Sequence, residues 1–297
     1  MGSPNFALST LHVLAVHYDV VGVVSQPDRA SGRGRELNPP PVKVLAQQLE
    51  IPLIQPEKLR QPEAMEQLRA WSPDLIVVAA FGQILRKDVL DLPPYGCINV
   101  HASLLPRWRG AAPINAAILH GDDETGVTIM KMDVGLDTGP ILSQRAMRLT
   151  PDDTAGSVTQ KLSHLGADLL IETLPGYLSG EIQPVPQPEE GMTYAPMLKK
   201  EEGQLDFTRP AEELERRVRA FNPWPGAFMD FEGTLLKVHR ARVEAGEAQG
   251  GKRLLYRNQP AVGASGGLLI LDEVQPAGKK TMSGAAFLAG ARHWIQG

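Results

Sequence analysis

Residues 97–113 read CINVHASLLPRWRGAAP, and this stretch decides the fold. Its first five residues form an apolar, partly β-branched run that is typical of a buried strand. Asn99 and His101 alternate with Val100, so both polar side chains point to the same face of that strand. Pro106, followed by an Arg-Trp-Arg-Gly run, prevents a simple continuation as strand or helix. The stretch therefore predicts a buried strand that ends in two polar side chains and a turn.

Strand-like runs alternate with helical spacing on both sides of this stretch. The strand-like runs are Val20–Val24, Pro52–Ile54, Leu75–Ala80, Cys97–His101 and Val127–Met132. Helical spacing of apolar residues covers Ala7–His17, Val42–Leu49, Pro113–His120 and Thr154–Leu174. The alternation predicts an α/β fold with a mostly parallel sheet, in which chemistry gathers at the carboxyl ends of strands. Gln26–Pro41 is rich in Pro, Gly and Arg and predicts a long exposed loop.

The C-terminal third has a different pattern. Residues 181–197 read EIQPVPQPEEGMTYAPM, whose prolines predict a stiff, extended linker. Beyond it we expect one helix over Pro210–Phe221 and short strands separated by Gly. Those strands are Thr234–Val238, Arg253–Tyr256 and Gly267–Leu271. The pattern predicts a small β-barrel domain over 204–297, after a catalytic domain over 1–180 and a linker over 181–203.

Composition excludes several classes of protein. The 297 residues are 42% apolar and 22% charged, which excludes a fibrous or wholly disordered chain. The single cysteine, Cys97, excludes an intrachain disulfide and a Cys-rich zinc site, and it fits a reducing cytosol. No stretch approaches the roughly 20 apolar residues of a transmembrane helix. We therefore expect a cytoplasmic protein without a membrane partner.

Charge is unevenly distributed along the chain. Residues 204–297 carry 13 Lys and Arg against 10 Asp and Glu, a net +3, whereas residues 1–203 carry a net −7. A basic C-terminal part on an acidic, enzyme-sized part permits a polyanionic partner. Ordinary scatter between domains gives the same imbalance, and charge alone leaves both interpretations open.

Asn99 and His101 have a possible carboxylate partner downstream. The run MDVGLDTGP, residues 132–140, predicts a tight loop that contains Asp133 and Asp137. A carboxylate beside His101 would orient the imidazole ring and favour its protonated form. Amide, imidazole and carboxylate together can stabilise an oxyanion and move protons during attack on a carbonyl. A hydrogen-bonded structural histidine is the alternative, and the spacing alone does not identify a carbonyl substrate.

Two long segments carry a family resemblance. INVHASLLPRWRGAAPI, residues 98–114, and GVTIMKMDVGLDTGPIL, residues 126–142, closely resemble the methionyl-tRNA formyltransferase family. Shorter similar segments are VSQPDR from Val24, QPEKLR from Gln55, RAFNPWP from Arg219 and QPAGKK from Gln275. The resemblance implies a Rossmann-like formyltransferase domain joined to an OB-like barrel. It also implies formyl transfer from 10-formyltetrahydrofolate to methionyl initiator tRNA, for translation initiation.

The resemblance assigns roles to individual positions. Asn99, His101 and Asp137 match the catalytic trio of the family, whereas Asp133 does not match and is interpreted as a loop residue. The positions implied to lie beside folate are Ser103, Leu104, Leu105, Pro106, Val134, Gly135 and Leu136. The positions implied to contact tRNA are Arg29, Arg33, Arg35, Lys279 and Lys280, with Arg240 and Arg242 as weaker candidates. No metal is expected, and we expect a monomer.

Three other functions are alternatives to formyl transfer to methionyl-tRNA. Another 10-formyltetrahydrofolate-dependent formyltransferase or hydrolase would share the trio but would not need the arginine loop or the basic barrel. A nucleic-acid-binding module on an inactive scaffold would not need the trio. A nicotinamide dehydrogenase would need a Gly-x-Gly-x-x-Gly motif after a strand, which is absent from this sequence.

The resemblance also concerns the N-terminus. The family has a short strand just before the motif that Met1 begins here, and that strand is central in the sheet. Either the true start lies upstream or this member lacks a core element. We expect a chain extended upstream by a short β-branched run to melt at a higher temperature, since a central strand pairs and buries both neighbours.

Overall fold

The computed structural model describes residues 1–31, 36–291 and 293–295. The α-helices are α1 (Phe6–His17), α2 (Pro41–Gln48), α3 (Pro62–Trp71), α4 (Lys87–Leu90), α5 (Pro113–His120), α6 (Ala155–Ser179), α7 (Ala211–Ala220) and α8 (Gly284–Gly290). The strands of the N-terminal part are β1 (Val23–Val24), β2 (Arg29–Ser31), β3 (Glu36–Asn38), β4 (Leu53–Ile54), β5 (Ile76–Val78), β6 (Cys97–His101), β7 (Arg109–Gly110), β8 (Glu124–Lys131) and β9 (Ile141–Arg148). The remaining strands are β10 (Tyr194–Ala195), β11 (Ala227–Phe231), β12 (Thr234–Glu244), β13 (Arg253–Tyr256), β14 (Gln259–Ala264), β15 (Gly267–Pro276) and β16 (Met282–Ser283).

The N-terminal part contains the predicted α/β sheet. β1 pairs with β4 and β5 pairs with β6, both in parallel. β8 departs from the parallel arrangement, because it is antiparallel to both β6 and β9. The connection from β8 to β9 is only nine residues long, which suits an antiparallel pair and is too short for a parallel crossover. The prediction of a Rossmann-like, mostly parallel sheet is confirmed, with β8 as its antiparallel member.

β6 lies inside this sheet, between β5 and β8. Cys97, Ile98 and Val100 are each at most 2% exposed, as expected for a strand covered on both faces. Burial raises the pKa of the Cys97 thiol to about 12, because the thiolate would be desolvated there. The strand ends at His101, so this side chain lies at the carboxyl end of a central strand.

The segment Gln26–Pro41 is more ordered than the predicted exposed loop. Its arms are β2 and β3, which pair antiparallel with Arg29 opposite Asn38. The expectation of an entirely irregular loop is therefore wrong. Backbone pairing between two short polar strands leaves no hydrophobic alternation for sequence reasoning to detect.

A cavity of about 320 Å³ lies among α1, β1 and β5. Met1 and Gly2 line it and lie between the two strands, since the Gly2 amide donates to Val24 O and the Ala79 amide donates to Met1 O. None of the predicted site residues lines this cavity. The expectation about a preceding strand stays a prediction.

The C-terminal part is built on one antiparallel sheet. Its strand order is β11-β12-β15-β14-β13, and β16 pairs with β15. The buried residues of this part form one core. It includes Leu214 of α7, Leu236 of β12, Leu271 of β15 and Trp294, which follows α8. Helix α7 matches the prediction over Pro210–Phe221 within one residue at each end. This arrangement agrees with the predicted small OB-like domain.

Backbone contacts divide the chain into two compact units. The first comprises 1–113, 124–148 and 159–194, and the second comprises 114–123, 149–158 and 195–297. This division differs from the predicted bounds 1–180, 181–203 and 204–297 in two ways. Residues 181–194 belong to the first unit instead of forming a separate linker, and two internal segments belong to the second unit. The reason for the first difference is hydrogen bonding along residues 185–193, described below.

Candidate active site

His101 is the centre of the site. It stands at the end of β6 and is 5% exposed. Its Nε2 donates to the carbonyl oxygen of Trp108 at 3.0 Å, and its Nδ1 lies 3.8 Å from Oδ2 of Asp137. A carbonyl oxygen only accepts hydrogen bonds, so Nε2 carries a proton. The Asp137 carboxylate lies on the other side of the ring, next to Nδ1.

Asp137 is fixed by its loop and by the turn after β6. Its φ of 52° is left-handed, and its Oδ2 accepts a hydrogen bond from the Gly110 amide at 2.8 Å. Gly139 is required in the same loop, because a Cβ there would collide with the carbonyl oxygen of Lys131. The loop therefore holds the carboxylate beside His101, as the sequence predicted for Asp137.

Asp133 has a different position and role. Its Oδ1 accepts from the Gly135 amide at 3.0 Å and from the Thr138 hydroxyl at 2.7 Å. These bonds stay within the loop and involve none of the trio. The structure agrees with the interpretation of Asp133 as a loop residue.

Asn99 lies two residues before His101 on β6, so its side chain projects from the same face. It is half-buried and stands opposite Met130 of β8. Its side chain makes no hydrogen bond to any residue in the described ranges. The amide N–H groups of Asn99 therefore remain available to a substrate.

The turn 103–106 is anchored from below by β8. Thr128 Oγ1 donates to Ser103 O at 2.7 Å and accepts from the Leu105 amide at 3.1 Å. Ser103 is fully buried and its hydroxyl donates to Arg107 O, so it does not face a ligand. Leu105 is also buried, whereas Leu104 and Pro106 are half-buried. Within this predicted folate segment, only the latter two side chains are accessible.

The loop 134–136 presents apolar side chains to solvent. Val134 is 73% exposed and Leu136 is 58% exposed, with Gly135 between them. Two exposed apolar side chains directly before a catalytic candidate are a feature of ligand sites rather than of ordinary surface loops.

The predicted tRNA residues lie away from the trio in the sequence, and the structure places only some of them. Arg29 is exposed at the start of β2, and its Nη2 donates to Gln26 Oε1. Arg33 and Arg35 lie outside the described residues. Lys279 and Lys280 are exposed after β15, in the second unit. Of the weaker candidates, Arg240 is exposed, whereas Arg242 is ion-paired with Asp272 and Glu244.

The base of the β2–β3 hairpin is held by a polar cluster. Asp28 accepts hydrogen bonds from Lys43 Nζ at 2.7 Å and from Gln55 Nε2 at 2.8 Å. These bonds lower the pKa of Asp28 below its usual value, the Lys43 bond most of all. The same Gln55 amide donates to Gln26 O. These hydrogen bonds therefore hold the backbone just before β2 in place.

Sequence reasoning missed three residues around the trio: Arg109, Gln187 and Thr193. Thr193 accepts the Trp108 amide on its hydroxyl and the Arg109 amide on its carbonyl oxygen, both at 2.9 Å. Arg109 is 9% exposed, and its guanidinium donates to Gln187 Oε1. Gln187 lies between two prolines, and the proline content of this segment predicts a linker rather than a site residue.

Known proteins similar in sequence to this chain are formyltransferases. The family model described as formyl transferase matches residues 6–174, and the formyl transferase C-terminal domain matches residues 197–292. Methionyl-tRNA formyltransferase of Myxococcus xanthus strain DK1622 is 54% identical over 98% of this chain and 93% of that protein. The corresponding protein of Geobacter sulfurreducens is 48% identical over the same shares. The chain belongs to the methionyl-tRNA formyltransferase family.

Solved structures show the same fold at low identity. A sugar 3N-formyl transferase, WlaRD, is 17% identical with a TM-score of 0.67 over 94% of this chain and 97% of that chain. HypX from Aquifex aeolicus, in complex with tetrahydrofolic acid, is 19% identical with a TM-score of 0.61 over 86% of this chain and 44% of that chain. At these identities the likeness shows the formyltransferase fold alone.

Neither a cluster of metal ligands nor a helix able to span a membrane occurs among the described residues. In the described residues of this methionyl-tRNA formyltransferase family member, no three His, Cys, Asp or Glu side chains cluster as metal ligands. None of the helices in those ranges combines the length and apolar character that crossing a bilayer requires.

Proposed function

We propose that this chain transfers the formyl group of 10-formyltetrahydrofolate to the α-amino group of methionyl initiator tRNA, in the cytosol, for translation initiation. The observation that carries the proposal is His101, held between Trp108 O and the Asp137 carboxylate beside the available amide of Asn99. Membership of the family over 98% of the chain supports the choice of acceptor.

The reaction is an acyl transfer through a tetrahedral intermediate. The neutral amine of the methionyl group forms a bond to the formyl carbon, and the C=O electron pair moves to oxygen. The electron pair on oxygen then re-forms the C=O bond as the bond from the formyl carbon to N10 breaks. The electron pair of the broken bond goes to N10, and N10 takes a proton. The former amine loses a proton. The products are formyl-methionyl-tRNA and tetrahydrofolate.

Asn99 and His101 serve the oxyanion of this intermediate. The Asn99 amide and a ring N–H of His101 project from the same face of β6, so both can donate to one oxygen. The Nδ1–Oδ2 distance of 3.8 Å exceeds a hydrogen bond, which leaves this N–H able to donate to a substrate oxygen. Two such donors bind the oxyanion more strongly than the neutral carbonyl oxygen, so they lower the barrier more than they tighten substrate binding.

Asp137 orients His101 and conducts protons. Its carboxylate lies 3.8 Å from Nδ1 and holds the ring on the side opposite the Trp108 carbonyl oxygen. The carboxylate can also accept the amine proton through water and pass it towards N10. The Gly110 amide fixes the carboxylate for both tasks.

The folate seat uses the turn after β6 and the loop before Asp137. Leu104 and Pro106 offer accessible apolar surface on the turn, and Val134 and Leu136 offer it on the loop. A flat pteridine ring suits apolar surface combined with backbone hydrogen-bonding groups, such as those of Gly135. Ser103 and Leu105 hold the turn in place, since their side chains are buried and their backbone groups are hydrogen-bonded to Thr128.

Binding of tRNA uses basic residues on both units. Arg29, Arg33 and Arg35 belong to the sequence segment 26–41, and Lys279 and Lys280 lie on the C-terminal unit. Arg and Lys side chains suit phosphate contacts, which position an RNA without reading its sequence. We propose that the enzyme works as a monomer.

A second 10-formyltetrahydrofolate-dependent activity, transfer to an amino sugar or hydrolysis, is the competing function. The purified chain would be incubated with 10-formyltetrahydrofolate and, in separate reactions, methionyl initiator tRNA, free methionine, an amino-sugar nucleotide or buffer. We expect formylated tRNA and an equal amount of tetrahydrofolate in the first reaction and only slow tetrahydrofolate release in the others. Formylation of the sugar, or release that ignores the tRNA, contradicts the proposal.

A further inference from the structure

Gln187 lies in the proline-rich segment, yet its side chain is tied to the catalytic loop. Its Nε2 donates to the carbonyl oxygens of Asp137 and Gly139, both at 2.8 Å. Its Oε1 accepts from Arg109 Nε at 2.9 Å and from Arg109 Nη2 at 2.7 Å. Two donated and two accepted bonds use the full capacity of the amide and fix its orientation.

The segment that carries Gln187 is itself anchored at both ends. Val185 and Ile141 exchange backbone hydrogen bonds of 2.7 and 2.8 Å at the start of β9. Thr193 accepts the amides of Trp108 and Arg109. The backbone around Gln187 is therefore held against both the loop before β9 and the turn after β6, and the side chain bridges the two.

This bridge spans the hydrogen bond that fixes the catalytic carboxylate. Asp137 Oδ2 accepts from the Gly110 amide, and Gly110 directly follows Arg109. Gln187 holds the backbone of the acceptor residue, and it holds the side chain of the residue next to the donor. Asp137 also has a left-handed φ of 52°, a conformation that persists only when its surroundings impose it.

We propose that Gln187 is a positioning residue for the reaction, acting through Asp137 to set the carboxylate against His101. The inference rests on the proposed function. Gln187 hydrogen-bonds to the Asp137 loop and to Arg109, not to His101 or Asn99, so it acts on the chemical step through that loop. A displacement of about 1 Å in a catalytic group costs up to about 100-fold in rate.

The test replaces Gln187 in two ways. Gln187→Ala removes all four hydrogen bonds. Gln187→Glu keeps an acceptor for Arg109 but turns an oxygen towards the two carbonyl oxygens, which repels the loop. We expect both variants to lower kcat by about 10- to 100-fold, with the KM for methionyl-tRNA changed by less than about threefold. The loss in Gln187→Glu, despite a retained partner for Arg109, would assign the effect to the loop.

Gln183→Ala is the matched control. Gln183 has the same residue type in the same segment, but it is exposed and its amide donates to Gly180 O, outside the site. We expect this variant to keep wild-type kcat within about twofold, since its contact is remote from Asp137. Circular dichroism melting of all variants checks folding, and Gln187→Asn replaces Gln187→Ala if the latter does not fold.

A double-mutant cycle separates positioning from general stability. If Gln187 acts through Asp137, Gln187→Ala has little effect on the single-turnover rate in an Asp137→Asn background. An unchanged loss in that background, or kcat within threefold of wild type for both Gln187 variants, overturns the inference. A wild-type chain without tRNA formylation overturns the proposed function and this inference with it, so the two failures are distinguishable.

Discussion

Two residues beside His101 have left-handed backbones: Trp108 with a φ of 63° and Asp137 with a φ of 52°. Such conformations cost non-glycine residues on the order of 1–3 kcal/mol each. Both residues contribute a group that faces the imidazole, namely the Trp108 carbonyl oxygen and the Asp137 carboxylate. Two strained residues thus supply the oxygen atoms that face opposite sides of one ring.

Asp137→Asn is the first residue-scale prediction. The amide keeps the shape of the carboxylate but removes its negative charge and its capacity to accept a proton. We expect the rate of formyl transfer to fall at least about 100-fold with folate binding largely intact. Asp133→Asn is the control, because Asp133 bonds only within its loop and should stay within about tenfold of wild type. Similar rates for the two variants would contradict the assignment.

Cys97 gives a prediction on pH. Its thiol is 1% exposed and its pKa is raised from 9.0 to about 12, so the folded state keeps the proton that the unfolded state releases above pH 9. The stabilisation is complete below pH 9 and is lost as the pH rises towards 12. Relative to Cys97→Ala, the wild-type free energy of unfolding should fall by about 1.4 kcal/mol between pH 8 and pH 10. Urea unfolding measures it, and a difference independent of pH refutes it.

At the scale of elements, β8 shows how a strand supports the site. Thr128 on this strand binds Ser103 O, the Leu105 amide and the Gln144 side chain through one hydroxyl. Thr125, three residues earlier, is 3% exposed, and its hydroxyl has no hydrogen-bond partner among the described residues. The same side chain therefore has opposite energetic consequences at two positions.

Valine substitution at these two positions tests that contrast. Thr125→Val replaces an unsatisfied buried hydroxyl with a methyl group of similar size, and we expect it to raise the free energy of unfolding by about 1 kcal/mol. Thr128→Val leaves the Leu105 amide without its partner, and we expect a loss of about 1–3 kcal/mol. Urea unfolding compares both variants with wild type. Shifts of the same sign would show that the two hydroxyls are not different in this way.

The elements that sequence reasoning predicted well have strong apolar patterns. Cys97–His101 and Pro113–His120 match β6 and α5 in full, because buried apolar runs and helical spacing are local signals. β9 was missed, because only its second residue is buried and its sequence contains no continuous apolar run. Gln187 could not be placed for a different reason: its partners lie 48 to 78 residues away, and no local pattern encodes such distances.

At the scale of the whole molecule, charge and chemistry lie in different parts of the sequence. The trio belongs to the first unit, whereas residues 204–297 carry the net positive charge of +3. An acidic catalytic part would repel a polyanion unless basic residues elsewhere attract it. This distribution fits an enzyme that binds a large anionic substrate and reacts at one end of it.

The basic residues give a prediction on salt. Arg33→Ala, and Lys279→Ala combined with Lys280→Ala, should raise the KM for methionyl-tRNA, because each removes a proposed contact to tRNA. Each lost phosphate contact should reduce the salt slope of binding by about 1, with folate binding unchanged. Lys252→Ala is the control, since Lys252 is equally exposed on the C-terminal unit and is not a candidate. A salt slope as steep as wild type in both test variants would rule these residues out.

A single-turnover measurement shows whether formyl transfer depends on His101. Wild type and His101→Ala, each in excess over methionyl initiator tRNA, are mixed with 10-formyltetrahydrofolate, and formyl-methionyl-tRNA is followed through a single turnover. We expect complete conversion by wild type and a rate at least about 100-fold lower in the variant, with folate still bound. Conversion by His101→Ala within tenfold of the wild-type rate, or no product from wild type, would contradict it.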